Sequence, residues 1–155
     1  MDQSQHIATS EGVSTMNIYF AGSIRGGRDL QSAYAAIVQH LQEAGHTVLT
    51  EAVASATIEV DERDLTDQMI YEQDMAWLNA SDLVIAEVTV PSLGVGYEIG
   101  YALHTKCIPV LCLCHHDTHL SAMLTGNTDR NLTIHFYRDI TGALPIITEF
   151  IAQHS

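Results

Sequence analysis

At 155 residues, with 46% hydrophobic and 16% charged side chains, the chain has the composition of one globular domain and not of a disordered protein. Its 19 acids against 6 bases leave a formal net charge of −13, which argues against nucleic acid polymers and anionic membranes as partners. No run reaches the roughly 18 apolar residues of a membrane span, and three cysteines, an odd number, read as free thiols in a reducing, cytoplasmic compartment (in a eukaryote, also the nucleus).

The polar opening MDQSQHIATSEGVST lacks a basic stretch followed by an apolar core, so residues 1–15 are expected to form a disordered tail and residues 16–155 a single domain. Residues 16–21 (MNIYFA) form a β-rich apolar run ending at Gly22. Residues 30–44 carry Leu30, Ala33, Tyr34, Ile37, Val38 and Leu41 at helical spacing and stop at Gly45. Residues 46–50 predict a second strand, and the polar stretch 52–63 predicts a loop. A helix over 65–79 should bury Met69, Ile70, Met75 and Leu78. The continuous apolar run 83–88 (LVIAEV) is expected of a central parallel strand covered on both faces. A helix over 93–105, a strand over 108–114, a short helical piece over 120–124, a strand over 132–137 and a helix over 140–153 complete the chain. This alternation predicts an α/β three-layer sandwich of Rossmann or flavodoxin type, with a five-stranded parallel sheet. Ligands of such sheets bind at the carboxyl ends of the strands, near the point where strand order reverses. The loops after strands one and three should therefore be neighbours.

Three segments carry candidate chemistry. After strand one comes Gly22-Ser23-Ile24-Arg25-Gly26-Gly27, in which small residues let backbone N–H groups approach an anion, Ser23 can donate, and Arg25 offers a charged fork. Arg25 and Arg28 are two of only six bases, and a cation opposes the dipole at a helix start unless an anion sits there too. The pattern is neither a P-loop nor a G-x-G-x-x-G fingerprint, and a plain strand-to-helix turn remains open. The second segment, Ser92-Leu93-Gly94-Val95-Gly96-Tyr97-Glu98-Ile99-Gly100, places Glu98 in the early turns of a helix, where a carboxylate is expected to stay ionised, with open space left by Gly94, Gly96 and Gly100. On position alone Glu98 reads equally as a surface residue complementing the helix dipole. In the third segment, Asp74 lies four residues from both Ile70 and Leu78, close to a helix's apolar face, as either a structurally paired acid or an acid–base group.

Taken together and in order, IYFAGSIRGG (18–27), VLTE (48–51), YEQDMAWL (71–78), ASDLVIAEVTVPSLGVGYEIGYAL (80–103) and LSAM (120–123) resemble the 2′-deoxynucleoside 5′-phosphate N-hydrolase family, a branch of the nucleoside 2-deoxyribosyltransferase-like superfamily. The resemblance implies hydrolysis of a deoxynucleoside monophosphate to free base and 2-deoxyribose 5-phosphate, with no metal or organic cofactor. It implies that Glu98 attacks C1′, that Asp74, its pKa raised by desolvation, protonates the departing base, and that Tyr19 touches the reacting centre. Gly22, Ser23, Ile24, Arg25 and Gly26 would form the nucleotide cradle, joined by Glu51 and Gly94, with Ser92 reaching the 5′-phosphate. Ser121 and Met123 would complete the neighbouring subunit's site, which implies a homodimer. One departure is Ala52, where the resemblance leads to a histidine that contacts the base; base preference is open.

Rival readings remain. A deoxyribosyltransferase would use the same covalent intermediate on unphosphorylated nucleosides, against which Ser23, Arg25 and Ser92 argue. A ribonucleotide N-glycosidase acting on CMP would share the fold, and Tyr19, where phenylalanine is expected in that branch, favours deoxy substrates. A nucleotide-binding module without catalysis conflicts with an intact Glu98 and Asp74. A metal or redox module is suggested by Cys112-Leu113-Cys114-His115-His116 with His119 nearby, but alternation puts both cysteines on one strand face, where thiols are ordinary core residues.

Overall fold

Five strands of β-branched and aromatic residues assemble into one parallel sheet of order β2-β1-β3-β4-β5, in a computed structural model that describes residues 14–24, 30–50 and 65–155. They are β1 (Asn17–Ala21), β2 (Thr47–Val48), β3 (Leu83–Glu87), β4 (Val110–His115) and β5 (Leu132–Tyr137). The helices are α1 (Gln31–Glu43), α2 (Asp67–Ala80), α3 (Leu93–Tyr101), α4 (Ala122–Thr125) and α5 (Ile140–His154). This is the flavodoxin-like order, whose reversal falls between β1 and β3. The two strands pair from Ile18↔Leu83 to Ala21↔Ala86, so the segments that follow them start side by side, as expected from the sequence.

Both faces of the sheet are covered. Ile18, Phe20, Ile85, Leu111 and Leu113 pack against Tyr34, Ile37 and Leu41 of α1 and Ile147, Phe150 and Ile151 of α5. The opposite face sets Tyr19, Ala21, Val84, Ala86, Val110, Cys112 and Cys114 against Leu78 of α2 and Val95 and Ile99 of α3. All five residues of β3 are buried, which accounts for its unbroken apolar run. Gly45 ends α1 with a φ of 88°, a left-handed conformation that glycine adopts without a Cβ clash.

The structure corrects several expectations. Strand two is a ladder of two residues and not the five of 46–50, because Thr50 replaces backbone pairing with its side chain: its Oγ1 accepts the Phe20 N–H at 2.8 Å and donates to the Phe20 carbonyl at 2.6 Å. The helix expected over 93–105 is α-helical to Tyr101 and then widens into a π-helical turn, Ala102–Lys106, that ends at Cys107 with a φ of 53°. On α2 only Leu78 is fully buried, and Met69 is 49% exposed, so the apolar stripe read from the sequence is wider than the face that packs. The loop expected over 52–63 and residues 1–13 of the expected tail lie outside the described residues.

Because Thr50 bonds both backbone groups of the buried Phe20, Thr50→Val should lower the unfolding free energy by about 1–3 kcal/mol, read from denaturant midpoints. An unchanged midpoint would mean that Thr50 does not hold this edge of the sheet.

Candidate active site

Alternation along β1 sends Tyr19 and Ala21 to the α2/α3 face of the sheet. Tyr19 is 2% exposed, and its hydroxyl donates to Glu98 Oε1 across 2.8 Å. Glu98 stands in the second turn of α3, whose start is fixed by Ser92: its Oγ accepts the Val95 N–H at 3.3 Å. Asp74, half-buried on α2, lies close enough for its charge to raise the pKa of both Tyr19 and Glu98. A phenol from a central strand and acids from two helices therefore converge on one place.

The electrostatics of this group depart from the sequence expectation. Helix position suggested a fully ionised Glu98. Instead burial pushes its pKa up to about 7; the Tyr19 hydrogen bond acts in the opposite direction, and the nearby Asp74 raises it further. Desolvation of the partly buried carboxyl is the largest of these effects. Tyr19 is driven well above the ordinary phenol range, by burial first and then by the two acids, so it stays a hydrogen-bond donor at working pH.

The remaining predicted residues fall into separate places. Gly22 and Ser23 continue β1. A Cβ on Gly22 would stand 3.0 Å from the Tyr34 ring, so a larger residue there would have to push that ring aside by a few tenths of an ångström. The Ser23 N–H is already donated to the Tyr34 hydroxyl at 3.1 Å, whereas the buried Ser23 Oγ has no hydrogen-bond partner among the described residues. Ile24 is half-buried; Arg25, Gly26 and Glu51 lie outside the described residues. Ser92 lines a cavity of about 680 Å³ between α3 and residues 118–127, together with Ser121 and Met123. Gly96 and Gly100 open onto this cavity, which flanks α3 on the side of Ser121, and Gly94 stands beside Ser92.

Sequence reasoning missed three features. Tyr34 props Gly22 and Ser23 from below. Tyr71 and Tyr97, each 54% exposed, meet edge to face across α2 and α3 beside Asp74 and Glu98. Glu87 is a fully buried acid at the end of β3, and its only sequence signal was a charge inside an apolar run. Cys112 and Cys114 sit in the core, where burial pushes the Cys112 thiol up to about 12. His115, His116 and Asp117 bring three ligand atoms within 4.8 Å of one another nearer the surface.

An acid pair with a phenol donor, beside the reversal point of a doubly wound sheet, is the arrangement of a carboxylate-based α/β enzyme. The chain belongs to the nucleoside 2-deoxyribosyltransferase family, whose profile matches residues 18–136. It is 49% identical over 134 residues, 86% of this chain and 84% of the other, to a Methanosarcina barkeri protein provisionally named 2′-deoxynucleoside 5′-phosphate N-hydrolase 1. It is 48% identical over 127 residues, 79% of this chain and 77% of the other, to the 5-hydroxymethyl-dUMP N-hydrolase of Rattus norvegicus. Among solved structures, the CMP N-glycosidase of Clostridium botulinum shares the fold with a TM-score of 0.65 at 18% identity, covering 86% of this chain and 98% of that one.

The raised pKa of Glu98 has a consequence for stability. An unfolded glutamate loses its proton near 4.5 while the folded one keeps it to about 7, so the folded state binds more protons and loses stability as pH rises through that window. Glu98→Gln, neutral throughout, should therefore stabilise the protein more at pH 8 than at pH 4.5, by melting temperature. An equal shift at both pH values would show that Glu98 ionises normally.

Proposed function

We propose that this enzyme hydrolyses the N-glycosidic bond of 2′-deoxynucleoside 5′-monophosphates, through a glycosyl intermediate on Glu98. The observation that carries the reading is the 2.8 Å contact of Tyr19 with Glu98 in the presence of Asp74, and the names of the two relatives support the substrate class. In the first step the Glu98 carboxylate attacks C1′, the bond from C1′ to the base nitrogen breaks, and Asp74 delivers its proton to the leaving base. In the second step water attacks C1′, Asp74 takes the proton, and Glu98 leaves as carboxylate with release of 2-deoxyribose 5-phosphate. Tyr19 holds one Glu98 oxygen throughout, aiming the other at the sugar. A deoxyribosyl centre suits this chemistry, because no 2′-hydroxyl withdraws electrons from the developing positive charge.

The phosphate end is assigned to Ser23 and Ser92, with Ile24, Arg25 and Gly26 in the cradle and Glu51 and Gly94 toward the sugar and base. In favour of this, the buried Ser23 Oγ is free to donate. A homodimer is part of the same reading, with Ser121 and Met123 reaching the neighbour's site. Leu93 at 97% and Met123 at 81% exposure, both on the walls of the apolar cavity, support it, since such side chains gain most from a covering surface. No helix among the described residues is long and apolar enough to cross a membrane, and the free cysteines favour a cytoplasmic enzyme.

Three measurements test the reading. Product analysis over ribo- and deoxynucleoside monophosphates, with and without a second free base, should yield free base and 2-deoxyribose 5-phosphate; transfer to the second base would instead make the enzyme a deoxyribosyltransferase. The rate constant kcat/KM should climb with pH through about 7 as Glu98 ionises, and Tyr19→Phe should move that limb to higher pH by removing the bond that favours the carboxylate. Glu98→Gln should abolish turnover while nucleotide still binds; turnover near the unaltered rate would end the nucleophile assignment.

A further inference from the structure

Glu87 is 0% exposed, yet all three of its contacts are hydrogen bonds that it accepts. The Thr89 hydroxyl donates to Oε1, the Thr89 N–H donates to Oε2 at 3.3 Å, and the Tyr137 hydroxyl donates to Oε1 at 2.9 Å. Thr89 Oγ1 in turn accepts the His115 N–H at 2.8 Å. The His115 ring is itself tied down: with Nδ1 accepting the Asp117 N–H, its proton sits on Nε2 and reaches the Arg138 carbonyl at 3.0 Å. Tyr137 closes the set, because its carbonyl accepts the His116 N–H at 2.9 Å. The carboxyl ends of β3, β4 and β5 are thus joined through one buried carboxyl.

Burying a carboxyl is costly, and here burial pushes the Glu87 pKa up while its three hydrogen bonds and His115 pull it down. The core could be filled by an apolar residue at less expense, so the joint calls for a geometric reason. Its position supplies one. Thr89 begins the connection that ends in Ser92, the cap of α3, and His115 begins the segment that leads to Ser121. These two connections form facing walls of the cavity of about 680 Å³.

We propose that Glu87 is a positioning residue: acting through Thr89 and Tyr137, it fixes the spacing between residues 88–92 and 115–121, and so places Ser92 and Ser121 for substrate. The consequence for substrate rests on the functional reading above, while the joint itself does not. Removing one hydroxyl from the joint should loosen both walls and leave the chemical centre of Tyr19, Glu98 and Asp74 in place. Such a change falls on substrate binding before it falls on the chemical step.

The test uses Thr89→Val, which keeps shape and loses the hydroxyl, and Thr89→Ser, which restores it. Amide hydrogen exchange should speed up in Thr89→Val over 88–96 and 115–121, with α1 and α5 unchanged, and Thr89→Ser should return to the unaltered pattern. With deoxynucleoside monophosphate, Thr89→Val should raise KM about tenfold with kcat within about twofold, and Thr89→Ser should restore KM. Uniform loss of protection across the sheet, or an unmoved KM in an active Thr89→Val, would reduce Glu87 to an ordinary core group and overturn the proposal. If the unaltered enzyme turns over no monophosphate, the functional reading fails, and the exchange pattern alone decides whether the joint exists.

Discussion

Two carboxyl groups held against one face of a sheet cannot both be ionised without cost, and that constraint organises the site. Glu98 and Asp74 arrive on different helices, and each makes the other's negative charge less favourable. The phenol of Tyr19 distinguishes the two by donating to Glu98. A donor lowers the cost of charge on the residue it touches, so the Tyr19 bond offsets part of the desolvation of Glu98. The same pairing explains why the helix dipole, worth at most about 1 kcal/mol at a surface, does not set the ionisation of Glu98. A group whose pKa is near 7 stands close to the working range of an acid–base catalyst, neither permanently charged nor permanently neutral.

That acid pair depends on the sheet order. Placing β1 beside β3 sets Tyr19 in register with Val84 and leads the chain from β3 straight into the turn capped by Ser92. The helix α3 then descends along the face that Tyr19 points to, and the contact between residues 79 positions apart is made without strain in either element. The opposite face carries Phe20, Tyr34 and Gly22, where the Tyr34 ring packs tightly over position 22. One strand therefore serves two purposes by alternation. Its odd-numbered positions Tyr19 and Ala21 face the acids, and Ile18 and Phe20 build the core beneath the first loop.

Periodicity made most of this fold legible. The run 83–88 is read correctly as a doubly covered strand, which ends one residue earlier at Glu87, because burial on both faces leaves no polar alternation to misread. Strand two was overestimated because Thr50 bonds Phe20 with its side chain, a tertiary contact across 30 positions that no local pattern announces. Met69 was misplaced because helical spacing marks a stripe of apolar residues, while burial depends on what lies across from it. The acids were legible as residues and not as partners: position made Glu98 an ordinary helix glutamate, and only the resemblance of the whole pattern joined it to Asp74 and Tyr19. Glu87 escaped for the opposite reason, since an acid inside an apolar run passes as part of the strand, and its partner Tyr137 is 50 positions away.

The net charge of −13 sets the last condition on the site. A dianionic nucleotide is repelled by such a surface at distances up to a Debye length, about 8 Å at physiological ionic strength. Binding must then be carried by contacts made inside that distance, such as short hydrogen bonds from hydroxyls and N–H groups. Hydroxyl donors suit the task because they bond an anion at short range without carrying a net charge, and they work best where water is excluded. The buried Ser23 Oγ meets that description, a polar atom at the reversal point of the sheet whose hydrogen-bonding capacity the described residues leave unused. An acidic enzyme that takes an anionic substrate has to hold such donors at fixed spacing, because it has no long-range attraction to compensate for misplacing them. On that ground the rigid joint beneath the loops matters as much to binding as the groups that touch the ligand.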